Sequence, residues 1–311
     1  MSIIFLGDPH VDSKIGNIKV RDLISPKLDK LIDLINKQNK CVFLGDYFNP
    51  SNPDNGSREF LTDILNRINI PIILLVGNHD RDKNGSHTLA PVKKYIENKN
   101  GKVVEDYYED KDICYISYSL NFQHIRDIIK ETKCKYIVGH FAFDYELRGK
   151  KLVEMEYDSN IYDSKIFLLG HIHKNQSIRN IHYIGSVAPT NLGEIGYESK
   201  LLILDETNGN MEWKNIKYEL NNIVSNNVDD ILKNGNENSK VTIEVNSIEE
   251  KNKILAQLKD KKLLDLKFNI KNSNINVSAL KIDEMVKEYL KIHGREDLYD
   301  KVMEYIPEGR K

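Results

Sequence analysis

The chain has 311 residues, 30% of them charged, and a formal net charge of -2 at pH 7. This length predicts two or three domains, because hydrophobic cores rarely grow beyond about 250 residues before a chain divides. The balanced charge excludes a uniformly basic nucleic-acid-binding chain and an acidic solvating tail, so any surface that binds DNA must be local.

The cysteines and the lack of long apolar segments favour a reducing, non-membrane environment. Cys41, Cys114 and Cys134 are odd in number and lie in or beside apolar runs, which predicts buried free thiols rather than disulfides or a zinc site. The residues after Met1 lack the pattern of a signal peptide, and no apolar stretch has the length of a membrane span. We therefore expect a cytoplasmic protein with no membrane partner.

Five short apolar runs each lead into a glycine followed by a residue that can bind a metal ion. The five pairs are Gly7-Asp8, Gly45-Asp46, Gly77-Asn78, Gly139-His140 and Gly170-His171. Such runs predict strands buried on both faces. Helical patterns that begin at Ser25-Pro26 and at Ser57 separate the first three runs, which predicts an α/β fold with a largely parallel sheet. We therefore expect all five strand exits at one sheet edge, where open α/β sheets bind ligands.

The residues at these exits form a set of oxygen and imidazole ligands suited to two divalent metal ions. The candidate metal ligands are Asp8, His10, Asp46, Asn78, His140, His171 and His173. Two such ions and two carboxylates leave a charge of roughly +2, which a hydroxide and a phosphodiester would balance. His79 follows Asn78 directly and is a candidate general acid for the leaving oxygen.

The predicted secondary structure changes after the last of these motifs. Antiparallel strands are predicted there, and Asn208-Gly209 predicts a hairpin turn. Residues 221–239, rich in Asn and Asp, predict a linker. A strand at 241–245, a helix at 248–258 and a strand at 266–270 predict a small β-α-β unit, and two amphipathic stripes follow towards the C-terminus.

Taken in order, the five motifs resemble those of the calcineurin-like metallophosphoesterases. The segments that carry the resemblance are Gly7-Asp8-Pro9-His10, Gly45-Asp46-Tyr47-Phe48, Gly77-Asn78-His79-Asp80, Gly139-His140 and Gly170-His171-Ile172-His173. The resemblance implies that Asp46 bridges the two metals and that Asp80 orients the catalytic His79. It assigns Asp8, His10 and His173 to one metal, and it assigns Asn78, His140 and His171 to the other.

Three downstream segments are similar to the SbcD-type DNA repair nucleases, the family of the meiotic-recombination-eleven nuclease. These segments are residues 170–174, 183–186 and 191–194. The resemblance implies a metallophosphoesterase β-sandwich flanked by helices (α/β/β/α) as a nuclease domain at 1–220. It further implies a small β-α-β capping domain that binds DNA at 221–275, and C-terminal helices at 276–311 that bind an SbcC-type coiled-coil ATPase.

The resemblance also implies a function. It predicts a DNA exonuclease and endonuclease with two divalent ions, most commonly Mn²⁺, with Mg²⁺, Fe²⁺ or Zn²⁺ as alternatives. Such a protein would be the catalytic subunit of an SbcC-SbcD-like repair and recombination complex and would dimerise through its nuclease domain. The short length resembles phage-encoded members, which act in the host cytoplasm. The family usually has His where this chain has Asn49, so the balance between the two nuclease activities stays open.

Each of these patterns also has a plainer interpretation. One Gly-Asp or Gly-His pair is usually an ordinary turn, and His79 could simply donate to a nearby carbonyl. Asn49 and His87 are candidate substrate-binding residues, although His87 lies in a segment typical of a surface turn. Two other functions remain: a metallophosphatase for small-molecule or protein phosphoesters, and a non-catalytic scaffold. The first leaves the β-α-β unit unexplained, and the intact ligand set argues against the second.

Overall fold

The computed structural model describes residues 1–49, 52–82, 86–143, 145–147, 150–152, 154–225, 227–270, 287, 290–291 and 295–299. The C-terminal helical segment predicted at 276–311 therefore lies almost entirely outside the described residues. The chain divides into two compact units, Met1–Glu219 and Leu220–Lys311. In the described part, no helix is long and apolar enough to span a membrane.

Strands dominate the secondary structure, and short helices connect them. The strands are β1 (Ser2–Leu6), β2 (Lys14–Ile15), β3 (Ile18–Lys19), β4 (Lys40–Phe43), β5 (Ile72–Leu75), β6 (Lys102–Val104), β7 (Tyr107–Asp110), β8 (Ile113–Ile116), β9 (Tyr136–Gly139), β10 (Tyr145–Leu147), β11 (Lys150–Leu152), β12 (Ile166–Leu169), β13 (Gln176–Ile178), β14 (Ile181–Tyr183), β15 (Ser199–Asp205), β16 (Met211–Ile216), β17 (Asn221–Val224), β18 (Ser239–Val245) and β19 (Asp265–Ile270). The α-helices are α1 (Val20–Ile24), α2 (Leu28–Asn36), α3 (Asn55–Arg67), α4 (Lys93–Asn98), α5 (Phe122–Glu131), α6 (Ser159–Tyr162), α7 (Val228–Asn234) and α8 (Ile248–Gln257). Single 3-10 turns occupy Ser25–Lys27, Ala90–Val92, Leu192–Glu194 and Glu296–Leu298.

The first unit contains two six-stranded sheets. One has the order β16-β15-β1-β4-β5-β6, and the other has the order β13-β14-β12-β9-β8-β7. Within the first sheet β1, β4, β5 and β6 are parallel, while β15 and β16 are antiparallel. Within the second sheet β8, β9, β12 and β14 are parallel. The five predicted strands therefore belong to two sheets and not to one, which corrects the expectation of a single sheet edge.

The two sheets pack face to face. A single hydrophobic cluster joins Phe5 and Val42 of the first sheet to Tyr115, Val138 and Leu168 of the second. Because side chains alternate along a strand, the residues next to these in the chain point to the outer face of each sheet. Those outer-face residues, such as Ile4 and Cys41, are buried as well. On the outer face of the second sheet, α5 and α6 contribute to another cluster. This arrangement confirms the predicted α/β sandwich flanked by helices.

Two predicted helix starts differ from the structure. Ser25 was expected to cap a helix, but it lies within a 3-10 turn that continues from α1 into α2. The cap of α3 is Asp54, whose carboxylate accepts a hydrogen bond from the Ser57 amide at 2.8 Å. In both cases the helical stretch begins earlier than the apolar periodicity indicates, since the first turn needs no core-facing residue.

The second unit contains a three-stranded parallel sheet in the order β17-β18-β19. The expected β-α-β unit is confirmed as β18, α8 and β19. The predicted linker at 221–239 is wrong, because this stretch forms β17 and α7. A cluster around Ile231, Val241, Ile243 and Ile254 forms the core of this unit. Burial of one such side chain stabilises the fold by about 1.5–3 kcal/mol, which explains why an Asn-rich segment can still be ordered.

Candidate metal centre

The candidate ligands lie directly after five parallel strands, three from the first sheet and two from the second. Four of them have positive φ angles, 24° at Asp8, 39° at His10, 53° at Asp46 and 73° at His171. Residues other than glycine rarely adopt this region, and each instance costs on the order of 1–3 kcal/mol. Such strain is common at functional sites, because the surrounding packing fixes the direction of the ligand.

Glycine at two of the exits allows these loops to approach each other closely. A Cβ atom at Gly77 would lie 2.1 Å from Asp46 Oδ1 and 2.4 Å from the Asp46 amide nitrogen. Gly45 has a φ angle of +107°, and a Cβ atom there would lie 2.7 Å from His140 Nδ1. No other residue fits either position without moving a ligand.

One group of candidate ligands gathers around the end of β1. Ligand atoms of Asp8, His10 and Asp46 all lie within 4.8 Å of one another. His10 Nε2 lies 3.1 Å from His173 Nε2 and 3.6 Å from Asp46 Oδ2. Two imidazole nitrogens and carboxylate oxygens at this spacing can share one divalent cation.

A second group gathers on the other side of Asp46. Ligand atoms of Asp46, His140 and His171 lie within 4.8 Å of one another. Asn78 Oδ1 lies 2.9 Å from His140 Nε2 and 2.9 Å from His171 Nδ1. His140 Nε2 is also 3.3 Å from Asp46 Oδ2. Asp46 therefore belongs to both groups, as expected of a carboxylate that bridges two metals.

Unpaired buried polar atoms and shifted pKa values fit a site that binds cations. Among the residues that the structure describes, the buried atoms Asp8 Oδ2 and His10 Nδ1 have no hydrogen-bond partner. Burial favours a raised pKa at Asp46, but the neighbouring His140 and His10 hold the pKa below its usual range. Although burial opposes it, Asp46 and Asp8 raise the pKa of His140 to about 10. Divalent ions would replace this proton, so the residues fit two metals.

Hydrogen bonds on the far side of three imidazoles fix which nitrogen faces the site. His140 Nδ1 donates to the Leu44 carbonyl at 2.6 Å, and His173 Nδ1 donates to Glu194 at 2.8 Å. His171 Nε2 lies 3.0 Å from Glu154 Oε1. A nitrogen that donates to an oxygen carries the proton, so the other nitrogen keeps a lone pair for a metal. His140 and His173 would bind through Nε2, and His171 would bind through Nδ1.

His79 lies beside the first group with its side chain exposed. Its ring centroid is 5.3 Å from that of His10, and its amide donates to Asp46 Oδ1 at 2.9 Å. Its Nδ1 donates to the carbonyl of Asn49 at 2.7 Å. This is the contact that the plainer interpretation of the sequence expected. The bond occupies Nδ1 and not Nε2, so it is compatible with the role of general acid.

Asp80 makes different contacts from those expected. Its fully buried carboxylate accepts hydrogen bonds from the amides of Asp46, Tyr47 and Gly77 at 2.8, 3.0 and 2.8 Å. It also accepts a bond of 3.2 Å from the Thr88 hydroxyl. The expectation that Asp80 orients the His79 ring is therefore corrected. Asp80 ties two ligand-bearing loops together, and the Asn49 carbonyl orients His79.

The two predicted substrate-binding residues differ in their surroundings. Asn49 lies at the site, but its contacts are made by the backbone: the carbonyl accepts from His79, and the amide donates to Asp12 Oδ1 at 2.6 Å. His87 bonds to Glu105 at 2.8 Å, and its side chain is only 7% exposed. The predicted surface turn residue is thus largely buried. It lines a small cavity with Asp80, and its hydrogen bond is to Glu105 and not to a metal ligand.

Three acidic residues at the site, namely Asp12, Glu154 and Glu194, are not among the residues predicted from the sequence. Glu194 lies in a segment, 191–194, that the resemblance singled out without assigning it a role. Asp12 follows the first motif by two residues and could have been found by inspecting polar neighbours of that motif. Glu154 has no local signal, because it lies 17 residues before His171 in the chain.

A β-sandwich whose strand exits hold two candidate metal groups joined by one carboxylate defines the class of two-metal phosphoesterases. Residues 1–175 match the family model of the calcineurin-like phosphoesterases. The chain therefore belongs to this family, whose members hydrolyse phosphoester bonds with two divalent metals. No curated protein matches the chain in sequence.

Solved structures that resemble the chain do so distantly. A protein described as a novel archaeal phosphodiesterase shares 14% identity at a TM-score of 0.39, over 70% of this chain and 100% of its own. A protein of Thermus thermophilus shares 14% identity at a TM-score of 0.41, over 70% and 99%. The nuclease MPE of Pseudomonas putida shares 13% identity at a TM-score of 0.35, over 64% and 83%.

Proposed function

We propose that this protein is a two-metal DNA nuclease and the catalytic subunit of an SbcC-SbcD-like repair and recombination complex. The observation that carries the proposal is the link between the metal site and a segment of repair-nuclease type. Glu194, at the end of residues 191–194, bonds directly to the candidate ligand His173. The match to the general phosphoesterase family ends at residue 175, whereas the resemblance to the SbcD-type nucleases includes this downstream segment.

The reaction is hydrolysis of a phosphodiester. The two groups of candidate ligands would hold two divalent metals, which would supply an activated water and neutralise charge on the phosphate. His79 carries a proton on Nδ1, which the Asn49 carbonyl holds, and a second proton on Nε2 would pass to the departing sugar oxygen. The exposed position of His79 allows a polymer substrate to reach it.

The rest of the proposal concerns partners and conditions. DNA would contact the capping domain, residues 221–275, as well as the nuclease domain at 1–220. The C-terminal segment 276–311 would bind the coiled coil of an SbcC-type ATPase, and a second copy of the chain would pair through the nuclease domain. Mn²⁺ is the proposed metal on the resemblance to the SbcD-type nucleases, and the carboxylate and amide oxygens of the ligand set suit it. The place of action is the cytoplasm, that of the host if the chain is phage-encoded.

One assay separates this function from its alternatives. The purified protein is given Mn²⁺ or EDTA with single-stranded circular DNA, linear duplex DNA and a phosphomonoester. His79→Ala tests the general acid, and His124→Ala is the matched control because His124, which lies on α5, pairs with Asp106. We expect Mn²⁺-dependent DNA cleavage that falls by about 10²–10⁴-fold in His79→Ala and not in the control.

The other outcomes identify the alternatives. Cleavage of the phosphomonoester without cleavage of either DNA would show a metallophosphatase. No activity on any substrate, even after addition of a purified SbcC-type ATPase, would show a scaffold. Cleavage of circular DNA measures the endonuclease activity alone, so the same assay also gives its balance with the exonuclease activity.

A further inference from the structure

Two glutamates outside the predicted ligand set each contact one imidazole of the segment His171-Ile172-His173. Glu194 Oε1 lies 2.8 Å from His173 Nδ1, and Glu154 Oε1 lies 3.0 Å from His171 Nε2. The two histidines are only two residues apart, yet their glutamates come from opposite directions in the chain, one before and one after. Each glutamate therefore contacts the imidazole of one of the two histidines.

Glu194 is held rigidly in this position. The residue is 8% exposed, and its Oε2 accepts a hydrogen bond from the Thr190 amide at 2.7 Å. The Thr190 hydroxyl and the Asn191 side-chain amide also donate to the carboxylate, at 3.0 Å and 2.6 Å. A carboxylate with this many fixed donors cannot turn away, so the direction of the His173 ring follows from it.

Glu154 has a comparable anchor on the other side of the site. Its Oε2 accepts a hydrogen bond from the Ala142 amide at 2.8 Å. Ala142 follows His140 by two residues, so Glu154 connects the loop that carries one ligand to the ring of another. Its side chain is 18% exposed, which limits competition from water.

The free nitrogens of the two histidines face different metal groups. His173 Nε2 lies 3.1 Å from His10 Nε2, in the group with Asp8. His171 Nδ1 lies 2.9 Å from Asn78 Oδ1, in the group with His140. Each glutamate therefore contacts a histidine of a different candidate metal group.

We propose that Glu194 sets the affinity for the metal held by Asp8, His10, Asp46 and His173, and that Glu154 sets the affinity for the metal held by Asp46, Asn78, His140 and His171. Both are positioning residues, because each acts through the imidazole that it orients. Loss of such an outer partner typically weakens metal binding by about 10–100-fold. The proposal rests on the metal pair of the proposed function and not on its substrate, since metal binding is measured without DNA.

The test is titration of the metal-free full-length protein with Mn²⁺ by calorimetry. Glu194→Gln and Glu154→Gln keep the size of each side chain and remove its charge, and Glu198→Gln is the control because Glu198 pairs with Lys200 at an exposed position. We expect two binding events in the wild-type protein and in the control. In each site variant, one of the two events should weaken by about 10–100-fold while the other stays within about threefold.

A double-mutant cycle shows whether each glutamate acts through its histidine. His173→Ala should abolish the further effect of Glu194→Gln and leave that of Glu154→Gln intact, and His171→Ala should do the reverse. A purely electrostatic effect of the lost charge would instead persist in both histidine backgrounds, which would contradict the proposal. If Glu194→Gln fails to fold, Thr190→Val replaces it, since that change keeps the backbone amide and removes the hydroxyl that lies against the Glu194 carboxylate and His173 Nδ1. Glu154→Asp replaces Glu154→Gln in the same way.

The remaining outcomes would contradict either the assignment of the glutamates or the metal requirement of the proposed function. Two unaltered binding events in both glutamate variants, or equal weakening of both events in each variant, would refute the assignment of one glutamate to each metal. A wild-type protein that binds no Mn²⁺ would instead refute the metal requirement of the proposed function. The two failures are therefore distinguishable in the same titration.

Discussion

Asp80 offers the sharpest prediction, because its contacts make it a structural anchor of two loops. Replacement by Ala leaves three backbone amides, those of Asp46, Tyr47 and Gly77, without their acceptor. A buried donor without a partner costs about 1–3 kcal/mol, which gives roughly 3–9 kcal/mol for three. Water can enter the space left by the carboxylate, so we expect the lower part of this range, about 3–6 kcal/mol. Against a total stability of about 5–15 kcal/mol this is a large loss.

The assay is urea unfolding in EDTA, which measures the free energy of unfolding without metals. Asp80→Asn should cost less than Asp80→Ala, about 1–3 kcal/mol, because one oxygen remains as an acceptor. Thr88→Val is the control, since it removes only the hydroxyl that bonds to the carboxylate, and it should cost about 1 kcal/mol.

The opposite outcome would restore the expectation drawn from the sequence. If Asp80→Ala unfolds within about 1 kcal/mol of the wild-type protein but cleaves DNA about 100-fold more slowly, Asp80 acts on His79 and not on the loops. In that case Mn²⁺ binding would also be unchanged. If Asp80 is the anchor, metal binding should weaken together with stability, because Asp46 and Gly77 lose a shared support.

Three further predictions concern neighbouring residues. His79→Ala should slow DNA cleavage by about 10²–10⁴-fold while Mn²⁺ binding measured by calorimetry is retained, because the bond from residue 79 to Asp46 is made by the backbone. Asn49→Ala should change the cleavage rate less than about threefold, because the contacts of Asn49 are made by its backbone. Asp12→Ala should slow cleavage about tenfold by releasing the Asn49 amide. Equal cleavage rates in the two variants would contradict this role of Asp12. Gly77→Ala should abolish Mn²⁺ binding, because its Cβ atom would overlap Asp46. The control is Gly196→Ala, where the new Cβ atom meets open space and Mn²⁺ binding should be normal. This control should lose about 1–2 kcal/mol of stability, because the φ angle of +100° is unfavourable for alanine.

Part of the site could be predicted because its signals are local. Each candidate ligand follows a short apolar run and a glycine, and these features depend only on residues that are neighbours in sequence. The same holds for the hairpin at Asn208-Gly209 and for the β-α-β unit of the second domain. The prediction of a linker at residues 221–239 was wrong because the local signal was weak, since this stretch contains few apolar residues. It forms β17 and α7 because Ile223 and Ile231 pack in the core of the second unit.

The second sheet could not be predicted from the pattern of apolar runs. Strands buried on both faces have the same sequence pattern whether they belong to one sheet or to two. The runs before Asp8, Asp46 and Asn78 belong to one sheet, and those before His140 and His171 belong to the other. Only the packing of the two sheets brings these exits to one place.

The sequence by itself determined the candidate chemistry of this protein, because short motifs contain the candidate ligand residues in order. The tertiary structure decided how those ligands are held. His79 is oriented by a carbonyl 30 residues away, Asp80 binds loops instead of a ring, and Glu154 and Glu194 reach one histidine each. Such contacts join residues distant in the chain, and they depend on where folding places each backbone, which no local pattern specifies.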